Sequence, residues 1–276
     1  MQFLSIFEIR WVRRCFQAVS IALLALWLGA CSAPGPSSRD TQQPPESDSP
    51  ESELRRRAAL RVELASGYLE QSKLDVALGE VNQALAIDPR YSGALVVRGL
   101  VYFRMGDMPA AEQSFQRALA MNSADTDALH NMGLLRCQQR NYRDSQLYFQ
   151  RALAIPQHRD AVKTWLSMGV CQLRAGSTNE AQASLMHAFE LDPGHPIALY
   201  NLGKLQYDRK DYIRAKFYIG RLNAQDAANS ESLYLGVLIE RKLGNQDMAR
   251  QAYEQLRTRF PNSPQLGKLD RGEINE

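Results

Sequence analysis

The stretch LVVRGLVYFRMGDMPAAEQSFQRALAMN, residues 95–122, decides the fold because it returns twice in recognisable form. Residues 129–156 read LHNMGLLRCQQRNYRDSQLYFQRALAIP, and residues 165–193 read WLSMGVCQLRAGSTNEAQASLMHAFELDP. Each copy holds an apolar run at helical spacing around a glycine, a turn, and a second apolar run. Gly99, Gly133, Gly169 and Gly203 follow one another at intervals of 34, 36 and 34 residues. A period of this size marks a stacked array: no unit can bury its own apolar face, and at least three must pack together.

Counting each unit from its first helical position, the eighth place is small in five of them: Ala65, Gly99, Gly133, Gly169 and Gly203. Small residues also hold the twentieth place (Ala77, Ala111, Ser145, Ala181, Ala215, Ala249) and most of the twenty-seventh (Ala84, Ala118, Ala152, Ala188). These are the expected crossings of the first helix (A) and second helix (B). A bulky side chain there would force the backbones apart at about 1–3 kcal/mol of overpacking. Large apolar residues at the twenty-fourth place (Phe115, Phe149, Leu185, Ile219, Tyr253) fill the space between hairpins. Gly106, Gly176 and Gly244 supply the turn inside a hairpin, and Pro89, Pro193 and Pro261 end second helices. The pattern resembles the tetratricopeptide repeat. That resemblance implies an all-α, right-handed superhelical solenoid of about six repeats over residues 58–261, with a concave inner surface. Two inserted residues around 156–160 lengthen the turn between repeats three and four and are expected to tilt the two halves. In repeats five and six Val237 falls on the small position and Gly236 one place early, leaving the register there open.

The N-terminus carries a different message. Arg10, Arg13 and Arg14 precede an apolar segment from Ala18 to Leu28, which is the layout of a signal peptide over residues 1–30. The segment is shorter than the roughly 20 residues needed to span a bilayer. Leu28-Gly29-Ala30-Cys31 resembles a bacterial lipobox, which implies lipid attachment at Cys31. Several acyl chains would tether the protein to a membrane without spanning it, and Ser32 after the cysteine favours the outer membrane. Residues 31–57 read as a proline- and serine-rich disordered linker. Residues 262–276 read as a polar tail.

The chain has 33 basic and 30 acidic residues, and removing residues 1–30 leaves 30 and 29. Such a balance excludes a nucleic-acid binder, which needs a concentrated basic footprint. Cys137 and Cys171 lie on inner helix faces where a small apolar side chain fits, and they are read as packing residues rather than as a bridge. Catalytic and phosphate-binding motifs are absent, and His130, His158, His187 and His195 are not paired at ligand spacing. No enzyme activity, metal or cofactor is expected.

The solenoid offers a groove lined by its A helices. Its expected lining is Val96, Leu100 and Phe103, then His130, Asn131 and Leu134, then Leu166, Val170 and Leu173. Tyr200, Asn201, Tyr207, Tyr234 and Leu238 complete it. This apolar, tyrosine-rich trough suits a peptide or amphipathic helix. The repeat resemblance implies that Asn131 and Asn201 hold a peptide backbone.

Lipobox, linker and repeats together, with HRDAVKTWLSMGVCQL after the longer turn and SLYLGVLIERKLGNQDMARQAYEQLRTRFPNSP at the end, resemble the type IV pilus biogenesis lipoproteins, the PilF/PilW-type pilotins. The resemblance implies an outer-membrane lipoprotein with its globular part in the periplasm. It would bind the pilus secretin subunit in the groove and promote secretin localisation and multimerisation. The alternative is a repeat scaffold for another envelope complex, serving β-barrel insertion or cell-wall synthesis.

Overall fold

In the computed structural model, residues 50–156 and 158–273 are described. The signal peptide, Cys31 and most of the expected linker lie outside them. The described residues form thirteen α-helices: α1 (Pro50–Glu70), α2 (Leu74–Ile87), α3 (Ser92–Met105), α4 (Met108–Met121), α5 (Thr126–Gln138), α6 (Tyr142–Leu153), α7 (Ala161–Arg174), α8 (Thr178–Leu191), α9 (Pro196–Asp208), α10 (Tyr212–Asn223), α11 (Ser230–Lys242), α12 (Gln246–Arg259) and α13 (Pro264–Asp270). The first twelve pair as six antiparallel hairpins, odd-numbered helices serving as A and even-numbered as B, and each hairpin stacks on the next.

Two expected boundaries move. Helix α1 begins at Pro50, inside the expected linker, because proline at the first helical position with Glu51 and Glu53 in the first turn makes a good helix start. The polar tail also contains a helix. Ser263 accepts the Leu266 N–H at 3.3 Å as its N-cap, and Leu266 and Leu269 bury against Leu233, Val237 and Leu238 of the last hairpin.

Packing inside each hairpin follows from missing β-carbons. A Cβ added at Gly133 would stand 2.6 Å from the Phe149 ring, at Gly169 2.7 Å from Leu185, and at Gly203 2.6 Å from Ile219; Gly99 meets Phe115 in the same way. The large residue at the twenty-fourth place therefore lies flat on the A-helix backbone of its own hairpin and also reaches the next one. Phe115, fully buried, packs with Ala128, Met132 and Leu135 of the following unit. Repeat six settles the register question. Val237 is buried at the eighth place in the cluster that holds Tyr253, while Gly236 faces Asn223 and Ile219 of the preceding hairpin. The 34-residue count holds to the end.

The turn within each hairpin uses one left-handed residue. Glycine takes it at 106, 176 and 244 (φ 84°, 80° and 77°), while Ser72, Arg140 and Lys210 take it in the other three (φ 58°, 61° and 63°). N-caps support the helix starts: Asp107, Asp125 and Asp211 accept the N–H three residues on at 3.0, 3.0 and 3.1 Å. Asn229 and Ser232 form a reciprocal capping box at the start of α11.

Cys137 on α5 and Cys171 on α7 form a disulfide with Cα atoms 5.9 Å apart, correcting the reading of both as free packing thiols. The bond joins neighbouring A helices at the junction lengthened by the two-residue insertion. Closing a loop of 34 residues contributes about 3–4 kcal/mol in the chain-entropy account.

The same junction holds His130. Expected in the groove, it is instead 2% exposed, and its Nδ1 lies 2.9 Å from Thr164 Oγ1, which also meets His158 Nε2 at 2.7 Å. Burial, with the nearby Lys163 and His158, holds the His130 imidazole down at about 3 from its ordinary 6.5.

The two ends of the stack differ. Positions three and seven of the A helices are buried against the preceding hairpin in later repeats, as Ala128 and Met132 or Ala198 and Leu202 show. The same positions in the first repeat are Leu60 and Leu64, 58% and 50% exposed. At the other end α13 covers the last hairpin.

Two predictions follow from this packing. Gly133→Ala gains up to about 1 kcal/mol of helix propensity but incurs about 1–3 kcal/mol of overpacking against a ring with nowhere to go, so it lowers the melting temperature. Gly79→Ala in α2, where a Cβ meets nothing within 4 Å, raises it. Equal shifts in the two variants would contradict the account of the hairpin. For His130, the unfolded imidazole takes up a proton near pH 6.5 and the folded one only near pH 3. Between those values the unfolded chain binds more protons, so acidification destabilises the fold. Asp127, pushed up by burial, acts in the opposite sense. The test is therefore a comparison: thermal melts from pH 6.5 to pH 4 fall more steeply for the native chain than for His130→Gln.

Candidate functional site

The A helices place the expected groove residues in two groups. Val96, Asn131, Leu166 and Leu238 join His130 in the interior, each 6% exposed or less. Val96, Leu166 and Leu238 belong to the hydrophobic clusters between hairpins, and Leu238 is further covered by the tail helix through Leu266 and Leu269. These five are packing residues, because adjacent A helices approach closely enough to cover the positions nearest the hairpin seam. Leu100, Phe103, Leu134, Val170 and Leu173 are half-buried, as are Tyr200, Asn201, Tyr207 and Tyr234. They carry the apolar surface that the sequence points to.

The asparagines are engaged with their own helices. Asn131 Nδ2 donates to the Asp127 carbonyl at 2.8 Å, and Asn201 Nδ2 to the Ile197 carbonyl at 2.8 Å. One of the two side-chain N–H groups of each is therefore already used. Such back-bonding is the ordinary way a short polar side chain is satisfied on a helix.

Three of the tyrosines meet at the C-terminal end of the A-helix face. Tyr200 and Tyr207 on α9 and Tyr234 on α11 line a cavity of about 740 Å³, within the size range of ligand sites. Tyr212 at the start of α10 closes one side, its ring 5.5 Å from that of Tyr207. Gln265 and Lys268 of α13 close another. Burial first, then the carboxylates of Glu231 and Asp208, push the Tyr200 phenol above its ordinary value. Burial and the neighbouring Tyr212 and Tyr234 do the same for Tyr207. Both phenols thus stay neutral at physiological pH and keep a proton to donate.

Four lysines ring this cavity, Lys204, Lys210, Lys242 and Lys268, against the two carboxylates Asp208 and Glu231. Lys204 pairs with Asp208 at 2.5 Å. Sequence reasoning missed the lysines because they come from four different segments that converge only after folding. It also missed α13, although Ser263-Pro264 followed by Leu266 and Leu269 is a cap and a short apolar face.

Elsewhere the polar groups serve structure. Arg136 on α5 makes a forked pair with Glu112 on α4 at 2.6 and 3.0 Å. Glu240, 8% exposed, is met by Lys216 at 2.8 Å and by Asn245 at 2.7 Å. Among the described residues no group of three His, Cys, Asp or Glu side chains is placed to hold a metal ion, and no helix is long and apolar enough to cross a membrane.

Comparison with known proteins places these observations. Tetratricopeptide-repeat family patterns match residues 62–126, 162–195 and 231–263. The type IV pilus assembly protein PilF of Pseudomonas aeruginosa is 24% identical over 250 residues, covering 90% of this chain and 95% of that protein. The crystal structure of PilW, described as a widely conserved type IV pilus biogenesis factor, superposes with a TM-score of 0.68 at 26% identity, covering 77% of this chain and 97% of PilW. The structure of P. aeruginosa PilF gives a TM-score of 0.72 at 20% identity, covering 80% and 99%. The chain is thus a tetratricopeptide-repeat protein, homologous over most of its length to the PilF and PilW type IV pilus assembly proteins.

Proposed function

We propose that this protein is an outer-membrane lipoprotein, anchored through acyl chains on Cys31, that binds the type IV pilus secretin and promotes its localisation and multimerisation. The observation that carries this reading is the end-to-end similarity to PilF, which spans nearly the whole of both chains rather than one shared repeat. The sequence alignment runs over 250 residues, 90% of this chain and 95% of PilF. The physical role that fits is a scaffold. The half-buried apolar stripe through Leu100, Leu134 and Val170 would take an amphipathic segment of the secretin and keep its apolar face out of water. The lipid would hold carrier and cargo at the membrane where the secretin inserts.

The experiment is complementation of a strain lacking this protein, scored by secretin multimers in the outer-membrane fraction and by co-purification. Cys31→Ala is expected to leave the protein folded but unanchored, with fewer multimers there. Leu134→Glu is expected to weaken co-purification by the roughly 2 kcal/mol of a central interface residue, about thirtyfold in affinity, with the melting temperature little changed. Full multimer yield in both variants would overturn the proposal.

A further inference from the structure

We infer that the cavity between α9, α11 and α13 is a docking site for an acidic peptide segment of a partner protein. The inference rests on the reading of the concave face as a peptide-binding surface, and does not require that the partner be a secretin.

Three observations converge. The first is charge. The rim carries a surplus of two positive charges, on a chain that is otherwise almost balanced. Lys210, Lys242 and Lys268 are exposed and form no ion pair among the described residues, unlike Lys204. With Glu231 the one lining carboxylate left to offset Lys210, Lys242 and Lys268, the rim keeps a positive surplus that a carboxylate-bearing ligand relieves.

The second is unmet hydrogen bonding. Tyr234 and Gln265 line this cavity, and the Tyr234 hydroxyl and the Gln265 side-chain oxygen are buried behind its surface without a partner. A buried polar atom left unpaired costs free energy that a bound group can recover. The amide oxygen needs a donor. A peptide backbone supplies N–H groups, whereas inorganic phosphate or a phosphate headgroup offers chiefly acceptors at neutral pH. The chemistry therefore favours a peptide over a simple anion.

The third is the floor. Tyr200 and Tyr207 line the cavity beside Leu235, and aromatic side chains with a polar tip combine large contact area with low entropic cost on binding. The ligand that fits alternates carboxylates, directed to the lysine rim, with apolar side chains laid on the tyrosines.

The short helix α13 gives the site its far wall, since Gln265 and Lys268 both come from it. Its packing through Leu266 and Leu269 is then a means of holding those two groups in place.

The test uses the full chain purified in detergent and fluorescence anisotropy with two labelled octapeptides, one alternating leucine with glutamate and one alternating leucine with lysine. The glutamate peptide is expected to bind, more weakly as salt is raised. Lys242→Glu combined with Lys268→Glu is expected to weaken binding by at least tenfold, and Tyr234→Phe by a few-fold, with unchanged melting temperatures since both lysines are exposed. Equal binding of the lysine peptide, displacement of the probe by inorganic phosphate, or tighter binding of a peptide of residues 31–49, which carries Asp40, Glu46 and Asp48, would each overturn the inference. No binding of the glutamate peptide would overturn it as well, while leaving secretin co-purification to be judged separately. Conversely, loss of the secretin result with peptide binding intact would sink the pilus reading alone.

Discussion

A glycine that must stay bare sets the geometry of this protein. At Gly99, Gly133, Gly169 and Gly203 the space a β-carbon would fill is taken by a ring or branched chain from the B helix sixteen residues on. Because that contact lies inside the hairpin, it fixes the distance between A and B before any neighbour is involved. The same large side chain then reaches the following unit, so one residue sets both the hairpin and the stacking. Repetition at 34 residues turns that local constraint into a continuous core, with stability built up by neighbour contacts along the stack.

Much of this was legible in the sequence because the packing repeats with the period. The small eighth, twentieth and twenty-seventh places, the glycine turns and the terminating prolines each occur where the helices cross, turn and stop. What was not legible depends on single distances between segments. The cysteines are 34 residues apart, but only the approach of α5 to α7 brings them within bonding reach. His130 has the register of a groove residue, yet Thr164 of α7 meets its ring, with His158 of the lengthened turn bonded to the same hydroxyl. The lysines of the C-terminal cavity come from separate segments and share no local motif. Composition also misled: the proline and serine content ahead of residue 57 concealed a helix start at Pro50 with two glutamates in its first turn, and the polar tail concealed two leucines on one helical face.

The division of the A-helix face follows from the same geometry. Positions close to the seam between adjacent A helices are sealed by stacking, and those further out stay half-open. Val96 and Leu166 therefore stabilise the array, while Leu100, Leu134 and Val170 remain available. At the C-terminal end the pattern changes, because the last hairpin has no successor. There α13 covers Leu238 and brings its own polar groups to the edge of the tyrosine cavity. The tyrosine cavity thus lies where the regular stacking stops.

Leu60 and Leu64 give the column a direction. With the last hairpin covered by α13, Leu60 and Leu64 leave an apolar end face on the first A helix. Two copies meeting through that face would lie head to head about a two-fold axis, an arrangement that uses up both faces at once. A contact of that kind closes on itself instead of propagating along the stack.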